Sequence, residues 1–148
     1  MGAEDVIRSM GLAEAPVAGG NYVPAKTVGG LVYLAGVISM DEHGVIAGTA
    51  GEDRSVEEAY AAARACALTQ LAVLRRHLGS LDLVKEVVSV NGYVNAVAGF
   101  TQTPHAINGA SDLLVEVFGE RGRHVRAAIG VSSLPRHALV ELQMVVAV

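Results

Sequence analysis

Two charged residues stand inside apolar runs near the end of the chain, where a charge is costly unless it is paired or bound to something. Arg126 enters the run 125–131, and Glu141 lies early in the run 138–148. Between them falls Leu134-Pro135-Arg136-His137. Proline cannot donate to a sheet ladder, so Pro135 belongs to a connection and the flanking runs read as strands. Two readings follow from this stretch alone. One is a structural Arg126–Glu141 ion pair between neighbouring strands. The other is an anion-binding arginine with a carboxylate beside it.

Other chemistries leave no comparable mark. There is no phosphate loop, no Gly-x-Gly-x-x-Gly fingerprint, no His-Glu-x-x-His and no Gly-x-Ser-x-Gly elbow. His43, His77, His105, His124 and His137 show no metal-ligand pairing at helical spacing and read as turn or surface residues. Nothing in the sequence indicates a Ser-His-Asp triad. Cys66 is the lone cysteine, which excludes an internal disulfide and a cysteine-based zinc site. At the margin of the helical stripe it reads as a small buried residue rather than a nucleophile.

The elements that must position Arg126 and Glu141 belong to one domain. The 148 residues are 51% hydrophobic but only 4% aromatic, so the core must be built from Val, Ala and Leu. A net charge of −4 argues against nucleic acid as a main partner, although Arg121, Arg123 and Arg126 form a local basic cluster. The acidic first residues are not a signal peptide, no apolar run reaches membrane-spanning length, and a reducing, cytoplasmic setting is expected.

Residues 1–20 read as an irregular lead-in with a weak helix over 1–10, broken by Ala15-Pro16 and Gly19-Gly20. Short strands are expected over 21–28 (interrupted at Pro24), 31–35, 37–40 and 45–47, with turns at Gly29-Gly30 and at 41–44. Ser55 followed by Glu58 is a capping box. Val56, Tyr60, Ala63, Ala67, Leu71, Leu74 and Leu78 then share one helical stripe, and Gly79 stops the helix. Arg64, Arg75 and Arg76 lie off that stripe, as a solvated face. Residues 84–97 are ambiguous: Asn91-Gly92 between apolar runs is a hairpin signal, and a single strand with a glycine bulge competes. Thr103-Pro104 opens a second helix with Ile107, Leu114, Val117 and Phe118 on its apolar face and Gly119 at its end. Asn108-Gly109 inside it violates helix propensity; the alternative is a helix that begins near Ala110. The order is β-β-β-α-β-α-β-β, an α+β fold with two helices covering one face of a sheet. The strands are too apolar to leave the other face in water, so other subunits should cover it.

In this context the final stretch resembles the RidA (YjgF) family. Arg126, Leu134-Pro135 and Glu141 in an apolar last strand carry the likeness. Tyr22-Val23-Pro24, Val32-Tyr33-Leu34-Ala35-Gly36, the long Ala-rich helix, Val94-Asn95 and Ile107-Asn108-Gly109 follow in family order. The likeness covers residues 21–148 as a single domain. It implies a chorismate-mutase-like fold with a mixed sheet, homotrimers with inter-subunit clefts, and one long strand through Asn91-Gly92. It also implies hydrolysis of 2-imino acids to 2-keto acids and ammonia without a metal or organic cofactor. By this resemblance Arg126 holds a substrate carboxylate, for which a planar guanidinium is suited, and Glu141 positions or activates water. Tyr22 lines the cleft, Asn108 stands near the site, and the backbone around Gly36 approaches the ligand.

Departures from the family pattern bear on the reading. Ala35-Gly36-Val37 replaces a common Ser-Gly-Gln, losing a hydroxyl and an amide, and Ala128 stands where many members have cysteine. The carboxylate anchor remains while the pocket becomes more apolar, as in a divergent subgroup. The expected partner is a small carboxylate-bearing metabolite. The competing function is a trimeric protein that binds such a metabolite without turnover.

Overall fold

The computed structural model describes residues 2–12 and 14–148. A short helix α1 (Ala3–Arg8) precedes strands β1 (Ala25–Val28), β2 (Leu31–Leu34) and β3 (Val37–Ile38), followed by a small hairpin of β4 (Met40–Asp41) and β5 (Gly44–Val45). Then come helix α2 (Val56–Leu78), strand β6 (Glu86–Asn95), helix α3 (Thr103–Phe118) and strands β7 (Val125–Val131) and β8 (Val140–Ala147). The sheet runs β1-β2-β8-β6-β7, with β3 also on β8. Only β6 and β7 are parallel, joined by the α3 crossover. This is the expected mixed sheet, with α2 and α3 packed on one face. Among the described residues no helix is long and apolar enough to cross a membrane.

Helix α2 begins as its sequence dictates. The Ser55 side chain accepts from the Glu58 N–H while the Glu58 carboxylate accepts from the Ser55 N–H, both at 3.1 Å. Gly79 ends it in the left-handed region at φ 90°. Such caps contribute roughly 1 kcal/mol, so Ser55→Ala is expected to lower the unfolding free energy by about that much in a urea titration. The apolar face is wider than the single stripe: Ala59, Ala62, Cys66, Gln70 and Val73 are buried as well. These small side chains let α2 lie close to both the sheet and α3. Cys66 is fully enclosed, and burial pushes its thiol pKa far up.

Asn91-Gly92 lies mid-strand, not in a turn. The irregularity in β6 falls between Val87 and Ser89 instead. A side-chain carbon on Gly92 would stand 2.6 Å from Ile107 of α3, so the glycine makes room for the helix rather than for a bulge. Gly109 has a similar cause. A β-carbon there would collide with the Tyr60 carbonyl of α2. Helix α3 does start at Thr103, and its break with propensity is explained by the closeness of the two helices.

The lead-in is less irregular than expected. Ala3 and Ile7 of α1 enter the core. Glu4 pairs with Arg75 at 3.0 Å and accepts from the Leu81 N–H at 2.8 Å. Arg76 donates to the Ala15 and Pro16 carbonyls. Arg75 and Arg76 thus clamp α1 and the Ala15-Pro16 stretch and are not simply a solvated face. Met1, where the expected first helix would begin, lies outside the described residues.

Candidate functional site

Strand β6 separates the two charges. Arg126 on β7 is level with Val90, whereas Glu141 on β8 is level with Tyr93. Successive side chains of a strand alternate between faces, and an offset of three therefore puts the two on opposite sides of the sheet. Arg126 shares its side with Val90 and Met144, the helix-covered face; Glu141 shares the open face with Tyr93 and Ile129. The Arg126–Glu141 ion-pair reading fails on this topology, and so does Glu141 standing beside the arginine within one chain.

Arg126 is held by α3. Its Nη1 donates to Asn108 Oδ1 at 2.7 Å and to Ser111 Oγ at 3.1 Å, and its Nη2 donates to the Pro104 carbonyl at 3.2 Å. Pro104, Asn108 and Ser111 recur at helical spacing, so one edge of α3 grips the guanidinium. The Nε–H and the second Nη2–H remain for a ligand, the pair of donors that a carboxylate takes side by side. No carboxylate of the described residues lies within ion-pair distance of Arg126. Beside it opens a polar cavity of about 310 Å³, lined by Asn108, Ser111, Asp112, Arg123 and His124 among others. Of the basic cluster, Arg123 stays with Arg126 on this cavity while pairing with Glu120, and Arg121 turns away to donate to the Val84 carbonyl.

The remaining expected residues gather elsewhere. Tyr22, Ala35, Gly36 and Val37 line a second cavity of about 30 Å³ with Pro16 and Val17. Beside it, at the break between β2 and β3, stands Glu141. A β-carbon on Gly36 would lie 2.6 Å from Glu141 Oε2, so Gly36 makes space for the carboxylate itself. Partial burial raises the Glu141 pKa, and no cation offsets it. The break is bridged by Gln70 of α2, whose side-chain N–H groups donate to the Ala35 and Leu142 carbonyls at 2.8 and 2.9 Å. Ala128 packs against the core, and its carbonyl accepts from Thr103 Oγ1.

Ser111 and His124 were not anticipated. Asn108 and Ser111 are three apart on a helix, and His124 and Arg126 two apart at a strand's entrance. Both spacings put the pair on one side, which is the signal that could have found them. Among the described residues no group of three or more His, Cys, Asp or Glu could hold a metal ion.

A family model described as "YjgF/chorismate mutase-like, putative endoribonuclease" matches residues 3–147. Protein TCP17 of Trypanosoma cruzi is 43% identical over 128 residues, covering 85% of this chain and 80% of its own. A crystal structure from Agrobacterium tumefaciens, of a protein of unknown function, is 36% identical over 99% of this chain and 91% of its own, with TM-score 0.89. Another, from Shewanella oneidensis and described as a putative endoribonuclease, is 30% identical over the whole of both chains, with TM-score 0.95.

Proposed function

Since the chain belongs to the YjgF/chorismate mutase-like family, we propose that it is an imine deaminase, hydrolysing 2-imino acids to 2-keto acids and ammonia. The observation that carries this reading is the Arg126 guanidinium, pre-oriented by Asn108, Ser111 and Pro104 with two donors left over beside an open cavity. Fixing an arginine in advance lowers the ordering cost of binding. A 2-imino acid carries its carboxylate next to the electrophilic carbon, so holding one places the other for attack by water.

The second half of the site, Glu141 with Tyr22, Ala35, Gly36 and Val37, is supplied by a neighbouring copy in a homotrimer. Supporting this, the open sheet face carries Tyr33, Val125 and Ile129 at 48%, 71% and 49% exposure, an apolar surface that association would cover. Glu141, with its raised pKa, takes the proton from the attacking water. The reaction uses no metal or organic cofactor in this reading.

The test is ammonia release from freshly generated 2-iminobutyrate, with calorimetric binding of 2-ketobutyrate and the mass by sedimentation equilibrium. Binding without ammonia above background would make the protein a carboxylate-binding trimer instead, and a stable monomer at micromolar concentration would remove the shared cleft. Glu141→Gln is expected to keep keto-acid binding and lose turnover. In the wild type, turnover should fall as pH drops through the raised Glu141 pKa, because the carboxylate that accepts the proton is lost. Stability runs the other way. The folded chain binds this proton more tightly than the unfolded chain, so Glu141 favours folding at low pH and loses that contribution as pH rises through its folded pKa. Glu141→Gln cannot ionise and should melt at a higher temperature than wild type at neutral pH.

A further inference from the structure

Helix α2 reaches into the sheet at two places that flank Glu141. Gln70 Nε2 donates to the Ala35 carbonyl at 2.8 Å and to the Leu142 carbonyl at 2.9 Å. One turn earlier, Cys66 Sγ stands 3.7 Å from the Val37 carbonyl and 3.6 Å from the Val140 carbonyl. A thiol is a weak donor with one proton, so the amide is the stronger tie. Tyr33 pairs with Val145 and Val37 with Leu142, so residues 34–36 stand opposite only 143 and 144. The extra residue is a bulge, a device that re-aims side chains beside active sites. It falls at Ala35-Gly36, and Gly36 is the residue against which the Glu141 carboxylate lies. Without it the register would seat Val37, not Ile38, opposite Glu141. Gln70 is fully enclosed, as are Ala67, Leu71 and Leu74 around it on α2. Among the described residues nothing donates to its Oε1. Turning the amide over would set oxygen against two carbonyl oxygens, so its orientation is fixed. An apolar side chain would fill the space without a buried, unpaired acceptor. The two carbonyls that Gln70 holds are what explain an amide here.

We infer that Gln70 is the positioning residue of Glu141: by holding both edges of the bulge it keeps the Gly36 gap open and sets the carboxylate in it. Its part in turnover rests on the deaminase reading. In that reading a proton acceptor must meet the attacking water at a fixed distance, and a displacement of about 1 Å costs roughly a hundredfold. No salt bridge among the described residues includes Glu141. Its titratable neighbours are Cys66 of α2, whose thiol it pushes further up, Tyr93 level with it on β6, and Tyr22 on the adjoining cavity. None is a cation that could fix it. The place of Glu141 is therefore set by the main chain around the bulge, and α2 sets that main chain through Gln70. Partial burial in this place is also what raises the Glu141 pKa. A loosened bulge admits water to the carboxyl, which then titrates lower.

The experiment compares wild type with Gln70→Met, which fills a similar space without a donor. Gln70→Asn, an amide too short to span both carbonyls, is read in its place if circular dichroism shows the methionine variant unfolded. NMR titration of the glutamate carboxyls follows Glu141 directly, its signal identified by its loss in Glu141→Gln. In the folded variant the Glu141 titration should move down toward the ordinary carboxylate range. The acid limb of the kcat–pH profile should move down with it, and kcat should fall roughly a hundredfold. KM and the calorimetric Kd of 2-ketobutyrate should stay near wild type, because Arg126 and the α3 groups that hold it are untouched. A glutamine with a merely structural role would lower Tm and leave the titration in place. A Glu141 titration that does not move down therefore overturns the inference and leaves the deaminase reading standing. A lowered titration with wild-type kcat overturns it as well. If wild type binds the keto acid without releasing ammonia, the deaminase reading falls, and the titration alone decides whether Gln70 positions Glu141.

Discussion

Arg126→Ala is expected to abolish deaminase turnover and to weaken 2-ketobutyrate binding by at least roughly tenfold, since a lost charged hydrogen-bonding partner costs about 1.5–3 kcal/mol. Arg126→Lys should not restore either. Lysine cannot bridge Asn108, Ser111 and Pro104 on one edge while presenting two parallel donors on the other. Folding should survive both changes, because Arg126 lies at the sheet's edge and makes no ion pair. The opposed faces allow a sharper check. If the proposed trimer with shared clefts forms, then in assemblies of equal amounts of Arg126→Ala and Glu141→Gln chains some clefts receive an intact arginine from one chain and an intact glutamate from the next. Random mixing makes these roughly a quarter of all clefts, so two inactive preparations should regain about that share of activity. A mixture that stays silent after proven subunit exchange would place both groups in one chain's site.

Gly109→Ala is expected to destabilise the fold although alanine is the better helix former. Propensity alone favours alanine by about 1 kcal/mol, so the sign of the change separates local preference from packing. The added carbon meets the Tyr60 carbonyl and stands 3.2 Å from the Arg64 nitrogen, both main-chain atoms of α2 that cannot rotate aside. Overpacking of this kind costs about 1–3 kcal/mol and occasionally more, a drop of roughly 2–12 °C in Tm for a chain of this size. Because Asn108 and Ser111 flank Gly109, separating α3 from α2 should also loosen the grip on Arg126 and weaken keto-acid binding. A thermal melt at or above the wild-type temperature would show that the helices can part without penalty.

These cases show what the sequence could and could not convey. Ser55, Glu58 and Gly79 mark the ends of α2 because capping is chemistry between residues a few positions apart. The apolar runs around Arg126 and Glu141 likewise give β7 and β8. Which side each charge faces depends on β6 inserting between them, and no local pattern encodes that pairing. The strand through Asn91-Gly92 was legible only through the family resemblance, since its local signal favours a turn; the reason for Gly92 is Ile107, fifteen positions on. The site residues divide in the same way. Arg126 stands out as a charge in an apolar run, whereas Ser111 and His124 are ordinary surface residues until α3 and β7 meet. The order of the lead-in is not legible locally because its anchors, Arg75 and Arg76, lie on a distant helix.

The sheet that divides Arg126 from Glu141 also acts as a partition. A solitary chain cannot neutralise its own anchor with its own acid, and under the proposed shared cleft it lacks one half of what the reaction requires. On that proposal, activity is expected to depend on abundance. Per chain, it should be constant while the assembly is saturated and should fall steeply on dilution through the dissociation range, with the folded state of each chain unaffected. Newly made or scarce copies would be silent, and any agent that covers the open face would act as an inhibitor without touching either cavity.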